Sequence, residues 1–353
     1  SAPGCKSEYS GHRGLVEQTI EETRMDKFRA YRINEEDGNV VAGFEEIGID
    51  DLTEGNVVIK VSHSTINYKD ALAATGAGKI LRRYPLNGGI DLAGTIVSSE
   101  ADEFAEGDTV LVNGCGLSET VDGGYSEYAR IDSSSIVAAP DGMSAAETMQ
   151  IGTAGYTAAL AIHRMEQNGQ LPENGPIVVN GATGGVGSIA INMLSGRGYD
   201  VVAVTGKEEQ RDYLQSIGAS DILVRGDLDL GKRPMEKAQW AGAIDNLGGE
   251  HLTWLTRTVG YGGNIASVGL AAGFKLETTV MPFILRAVCL LGINSVDTPR
   301  DLRQRVWQRI GTDLKPKDLD KIGHKVVTFD ELPDQFQAFI DGTITGRIVV
   351  EIS

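Results

Sequence analysis

Cysteine is scarce in this chain: three in 353 residues, Cys5, Cys115 and Cys289, odd in number and far apart. No disulfide framework and no clustered all-cysteine metal site can be built from them. Long apolar runs are missing too. Stretches such as 288–293 fall far short of the ~20 apolar residues that a membrane-spanning helix needs, and residues 1–24 lack the apolar centre of a secretory signal. Positive charge is in deficit, with 32 Lys and Arg against 49 Asp and Glu and a net charge of −17. Nucleic acid and anionic membrane surfaces are therefore excluded as expected partners, both being polyanions. A soluble protein in a reducing, cytoplasmic setting is the expectation. Met25 reads as a natural start, which makes residues 1–24 a tail or tag remnant.

Glycine, by contrast, is plentiful at 45 residues, and one stretch gives it a purpose: residues 177–207, IVVNGATGGVGSIAINMLSGRGYDVVAVTGK. Ile177, Val178 and Val179 have the composition of a strand buried on both faces of a parallel sheet. Gly181, Gly184 and Gly187 follow at three-residue intervals. That spacing lets the chain turn tightly, brings bare backbone against a pyrophosphate and packs a helix closely on the sheet. Ser188–Gly196 carries a helical apolar pattern and Tyr199–Val204 reads as a second strand, completing a βαβ unit.

The end of that second strand selects the dinucleotide. NAD sites usually place a carboxylate there to hold the ribose 2′-hydroxyl, and it would repel a 2′-phosphate. Here the strand ends Val204-Thr205-Gly206-Lys207, with Arg211 a helical turn further on. A hydroxyl, a permissive backbone and two cations suit the phosphate, so NADPH is the expected coenzyme. Two charge-assisted hydrogen bonds at ~1.5–3 kcal/mol each would give ~3–6 kcal/mol of preference. The plainer alternative is that Lys207 and Arg211 are solvated residues at a helix start.

A chain of this length exceeds what one hydrophobic core usually serves, and two domains are expected. Residues 28–33, 40–44 and 56–64 read as strands punctuated by Asn, Asp and Gly, and 67–72 as a short helix. Glycines 88, 89 and 94 surround Asp91, and further strands are expected near 107–112 and after 123–128, giving an all-β, barrel-like unit. From Ala145 the composition turns helical. Beyond the βαβ unit, helices and strands alternate as in a doubly wound sheet, and segments 326–329, 332–340 and 347–352 return to the earlier style. The predicted division is 25–146, 147–318 and 319–353, the last part closing back on the first.

The motifs NYKDAL, GIDLAGTI, GGYSEYA, GTAGYTA and GATGGVG, in that order, resemble the medium-chain dehydrogenase/reductases. VMPFILR at 280–286, WAGAID at 240–245, TGRIVV at 345–350 and GAGKI at 76–80 are similar to the acrylyl-CoA reductase branch of its quinone-oxidoreductase group. The resemblance implies an α/β fold: a GroES-like β-barrel catalytic domain plus a Rossmann domain with a doubly wound parallel sheet. It implies NADP contacts at Tyr68, Thr183, Gly184, Gly185, Val186, Thr205, Gly206, Lys207, Arg225, Leu270, Ser295 and Arg347. By family analogy the apolar edge 288–293 extends a sheet across a homodimer. Where zinc alcohol dehydrogenases carry a Gly-His-Glu ligand element, this chain has Gly89-Ile90-Asp91, and their four-cysteine lobe is absent. His12, His63, His163, His251 and His324 are dispersed, so no catalytic metal is expected.

Hydride delivery without a metal requires a carbon already electrophilic, such as the β-carbon of an α,β-unsaturated thioester. The expected activity is NADPH-dependent reduction of acrylyl-CoA, a small-molecule acyl-CoA substrate, to propionyl-CoA. A quinone or enone reductase and a non-catalytic NADPH-binding sensor remain open as alternatives. Tyr68 is the candidate for orienting the nicotinamide or donating to substrate, beside Asn67 and Asp70; ordinary amphipathic packing is its alternative. Asp91 is read as holding a backbone turn, Tyr84 as lining the cleft, and Lys79, Arg82 and Arg83 as candidates for the CoA phosphates.

Overall fold

A computed structural model describes residues 27–353. The tail reading of 1–24, with Cys5 and His12, lies outside the described residues. The chain opens with β1 (Phe28–Glu36) and β2 (Asn39–Ile47), an antiparallel hairpin. Asp37 and Gly38, both at positive φ, form its two-residue loop, the backbone shape that matches strand twist. β3 (Val57–Thr65) alternates as its sequence predicts, burying Val57, Ile59 and Val61. Helix α1 (Tyr68–Thr75) follows, then β4 (Leu86–Asn87), β5 (Asp91–Ser99), β6 (Thr109–Asn113), β7 (Tyr128–Ile131) and β8 (Val137–Ala138).

Helix α2 (Ala145–Gln167) starts at a reciprocal cap: Ser144 Oγ accepts from the Glu147 amide, and Glu147 accepts from the Ser144 amide. After it come β9 (Ile177–Asn180), α3 (Gly185–Gly196), β10 (Val201–Thr205), α4 (Arg211–Ser216) and β11 (Asp221–Val224). The alternation continues with β12 (Trp240–Asp245), α5 (Gly249–Thr258), β13 (Val259–Ser267), α6 (Met281–Arg286) and β14 (Cys289–Gly292). The last elements are α7 (Arg300–Ile310), α8 (Leu319–Ile322), β15 (Lys325–Thr328), α9 (Phe336–Ile340) and β16 (Ile348–Glu351).

Strands β9 to β14 make a six-stranded, all-parallel sheet in the order β11-β10-β9-β12-β13-β14. That is the doubly wound order, with its switch point between β9 and β12. The barrel-like unit is built of two sheets, β2-β1-β4 and a seven-stranded sheet running β15-β16-β3-β5-β6-β8, with β7 also paired to β3. β16 lies antiparallel to β3, Val349 opposite Thr65, which carries the C-terminal segment back to the first sheet system. Segment 332–340 departs from the strand-rich style expected of it. It is a 3-10 turn running into α9, because Leu332 and Phe336 fall four residues apart on one buried face. Helix α2 packs along α3 and α7 and also reaches β3 and β5, so its N-terminal half sits where the two sheet systems meet.

Candidate active site

The switch-point crevice opens at the C-terminal ends of β9 and β12. Asn180 Nδ2 donates to Asp245 Oδ1 at 2.5 Å, and the Asn246 amide donates to Asn180 Oδ1 at 2.6 Å, bracing the two strand ends. Sequence reasoning passed over this brace, whose one signal is a polar residue closing an apolar run. The glycine turn follows directly. A Cβ on Gly187 would stand 2.4 Å from the Gly181 carbonyl oxygen, so only glycine lets α3 pack this close to the turn. Helix α3 is capped by Gly184 with no side-chain cap. Its first-turn amides, including Gly185 and Val186, therefore point outward at the positive end of the helix dipole, the arrangement that receives a phosphate. Thr183 is buried, and its carbonyl accepts from the Gly346 amide at 2.9 Å.

At the end of β10, Thr205 Oγ1 accepts from the Lys207 amide at 2.9 Å. Lys207 Nζ donates to the Ile344 carbonyl at 2.7 Å, and burial lowers its pKa against the raising pull of Glu209. Of the two arginines expected near the phosphate, Arg211 by spacing and Arg225 by resemblance, one stands beside Gly206. Arg211 turns away, donating to the Ile222 carbonyl at 3.2 Å with Glu208 at 3.9 Å. Arg225 takes the place beside Gly206, its Nη2 3.1 Å from where a Cβ would stand there. Spacing alone favoured Arg211; the return of β11 alongside β10 brings in Arg225.

Beneath the turn lies a buried polar cluster. Arg347, 2% exposed, donates from Nη1 to Asn67 Oδ1 at 3.0 Å and the Ile66 carbonyl at 3.3 Å, from Nη2 to Thr65 Oγ1 at 2.8 Å, and from Nε to the Gln150 carbonyl at 3.3 Å. These four bonds hold Asn67 and the end of β3 against the N-terminal half of α2. Asn67 Nδ2 donates to Asp70 Oδ2 at 3.0 Å and to Asp91 Oδ2 at 2.7 Å. Asp70 accepts from the Asn67 and Ile90 amides as well, at 2.8 and 2.9 Å. Burial, helped by the Asp91 charge, pushes its pKa up to about 6.

Asp91 is not the turn-holder expected of it. Its side chain bridges the start of α1 and helix α2, accepting from Asn67 and, at 2.7 Å, from Thr153 Oγ1; the backbone turn is held by Asp70. Burial raises the Asp91 pKa, with Arg347 the first of the influences that lower it. Room for the cluster comes from Gly152, which breaks α2 at φ 52°, ψ −161°. A Cβ there would lie 2.6 Å from Arg347 Nη2 and 3.1 Å from Asp91 Oδ2. Gly152 and Thr153 belong to the GTAGYTA motif; a glycine in mid-helix was the available signal for their role.

Tyr68, the first residue of α1, is half exposed at 51% directly after Asn67. Leu270 is exposed in the segment after β13, and Ser295, following β14, accepts from Thr157 Oγ1 at 2.8 Å. The structure thus gathers Asn67, Asp70 and Arg347 in one network and leaves Tyr68 free of side-chain partners among the described residues. Lys79 and Arg82 line one cavity beside α1, which Arg83 does not line.

Residues 53–141 match the family described as alcohol dehydrogenase GroES-like domain, and residues 185–312 the family described as zinc-binding dehydrogenase. YhfP of Bacillus subtilis (strain 168), provisionally named a quinone oxidoreductase, is 46% identical over 92% of this chain and 99% of its own. Its crystal structure with NAD bound gives a TM-score of 0.90. Acrylyl-CoA reductase AcuI of Ruegeria pomeroyi is 41% identical over 91% of this chain and 97% of its own. YhdH of E. coli K-12, crystallised with NADPH, is 44% identical, covering 92% of this chain and all of that one, with a TM-score of 0.88.

The zinc-binding description raises the question of a metal, and the residues do not fit one. Among the described residues no group of three or more His, Cys, Asp or Glu side chains converges. Asp91, where a ligand would stand, has both oxygens engaged by Asn67 and Thr153 and a guanidinium close by, and a fixed positive charge opposes a second cation.

Proposed function

The chain belongs to the medium-chain dehydrogenase/reductases, in the group of quinone oxidoreductases and acrylyl-CoA reductases, and from that premise we propose that it reduces the C=C bond of an α,β-unsaturated acyl thioester with NADPH and without zinc. Acrylyl-CoA, giving propionyl-CoA, is the substrate we favour. The observation that carries this reading is the conjunction of an open dinucleotide cradle, in which Gly206 and Lys207 rather than a carboxylate follow β10, with a neighbouring polar cluster whose donors are unsuited to a Lewis acid.

NADPH, when bound, would supply a hydride from nicotinamide C4 to the β-carbon, and water would supply the proton that the α-carbon takes up to complete the reduction. The first-turn amides of α3 bind the pyrophosphate, and Thr205, Lys207 and Arg225 surround the 2′-phosphate. Lys207 leaves the Ile344 carbonyl to do so, a neutral acceptor exchanged for an anion. Arg347 and Asp91 act from below by fixing Asn67 and the start of α1, and thereby Tyr68. Tyr68 orients the nicotinamide or donates to the thioester oxygen as charge develops there, the point at which a fixed donor lowers a barrier most. Alignment of the reacting carbons accounts for up to ~7–11 kcal/mol of rate enhancement.

A panel of acrylyl-CoA, acrylate esters and quinones, each with NADPH, tests the substrate. Highest kcat/KM for acrylyl-CoA supports the reading. Preference for quinones replaces it with the quinone reductase, and NADPH binding without turnover of any of them replaces it with a sensor. A homodimer across the exposed edge at β14 is part of the proposal; sedimentation at the mass of a single chain would remove it.

A further inference from the structure

Beside α1 lies a cavity of about 490 Å³, lined by Lys69, Lys79, Ile80, Leu81, Arg82 and Glu119. Three of the six lining side chains are cationic in a protein of net charge −17, so local charge here runs against the whole molecule. Their single counter-charge is Glu119. It contacts Lys69 Nζ through one carboxylate oxygen and stands 4.0 Å from Arg82 Nη2 with the other. The Arg82 side chain is 75% exposed, and Lys79 has no hydrogen-bonded or ionic partner among the described residues.

The chain ties the cavity wall to the cleft in two places. Lys69 is the residue next to Tyr68, ~3.8 Å away along the backbone, on the first turn of α1. Glu119 sits in the loop that begins at Gly114 and Cys115, where the Cys115 amide donates to the Val296 carbonyl, one residue beyond Ser295. Through that loop the cavity wall rests on the segment expected to meet the coenzyme.

We infer that this cavity is the subsite for the phosphorylated adenosine end of the CoA substrate, and that Glu119 is a stand-in anion which yields Lys69 and Arg82 to the incoming phosphate. The inference rests on the thioester reading above. A phosphate offers more acceptors and more charge than one carboxylate, Lys79 supplies an uncommitted cation, and Ile80 and Leu81 give the apolar wall that a base or pantetheine arm would lie on. Exchange of partners also yields selectivity: a short thioester lacks the charge to displace Glu119 and takes nothing from this wall.

The test compares acrylyl-CoA with acrylyl-N-acetylcysteamine and measures binding of free CoA and of pantetheine by calorimetry. For Lys79→Ala and Arg82→Ala the ratio of kcat/KM for the CoA thioester over the short one falls by about 5- to 30-fold, through KM, the range for loss of one exposed charge-assisted contact. Glu119→Gln moves the other way and lowers the KM for acrylyl-CoA, whereas an ion pair with a purely structural role would leave KM alone or raise it. Free CoA binds more weakly to Lys79→Ala, and pantetheine does not discriminate. A ratio and CoA affinity unmoved by all three substitutions overturn the subsite. If the unsubstituted protein turns over neither thioester, the reductase reading falls by itself, and the CoA calorimetry still decides the cavity.

Discussion

Lys207 and Arg225 flank the end of β10, and the two were reached by different routes, Lys207 from the strand-end motif and Arg225 from the family resemblance. Lys207 follows Thr205 in the strand-end motif and could be read directly, but Arg225 reaches Gly206 only because β11 lies parallel to β10, with Val224 opposite Thr205. A linear spacing argument therefore chose Arg211, whose guanidinium is held on the Ile222 carbonyl. For Lys207→Asp the ratio of kcat/KM with NADPH over NADH should fall by at least about 10- to 100-fold, the value of one charge-assisted phosphate contact before repulsion is added. Arg225→Ala should lower it in the same direction while Arg211→Ala leaves it in place. Coenzyme titrations in which Arg211, not Arg225, shifts the ratio would return the assignment to the sequence reading.

Asp70 gives a pH dependence of definite sign. Its folded pKa is raised from 3.8 to about 6 by burial and by Asp91, so the native state binds its proton more readily than the unfolded chain does. Its contribution to stability is present in full below about pH 4 and is lost as pH rises through about 6, opposite to a salt-bridged carboxylate. Function has the reverse slope. The ionised form accepts from both Asn67 donors and the Ile90 amide, so protonation loosens the seat of Tyr68, and kcat/KM should drop as pH falls through about 6. A pH profile flat from 5 to 8 would remove Asp70 from the account.

Among the elements, α2 does the most to join the two sheet systems, and its break is the least legible feature of the sequence. The run 145–164 reads as continuous helix, and Gly152 within it looks like a tolerated weak point. In the fold that glycine adopts a conformation L-residues avoid and leaves the space that Arg347 and Asp91 fill. Such a requirement arises from Arg347 and Asp91, both distant in the chain, which no local pattern encodes. Gly152→Ala adds a left-handed backbone cost of ~1–2 kcal/mol to overpacking of ~1–3 kcal/mol. A thermal melt should show the loss, roughly 3 kcal/mol, with coenzyme affinity falling alongside; an unchanged melting temperature would mean that the cluster relaxes freely. The βαβ unit was the easiest to read, since buried strand, glycine turn and helix follow one another within 30 residues and owe little to distant contacts.

At the scale of the whole molecule, the two-part plan was legible because each part has its own grammar: short alternating strands before residue 145, then alternating helices and strands. The return of β16 to β3 was legible for the same reason. The cluster between the parts was not, because Asn67, Asp91, Thr153 and Arg347 come from four separated segments and only the assembled sheets bring them within hydrogen-bonding reach. We propose that this assembly aligns a dinucleotide over an activated alkene and needs no metal to do so. The most direct measurement is reduction of acrylyl-CoA with NADPH carrying deuterium at the transferable C4 position, in chelator-treated protein, with the product read by mass spectrometry and NMR. Propionyl-CoA bearing one deuterium at its β-carbon is the predicted result. Unlabelled product, label at the α-carbon, or activity that returns only when zinc is restored would contradict it.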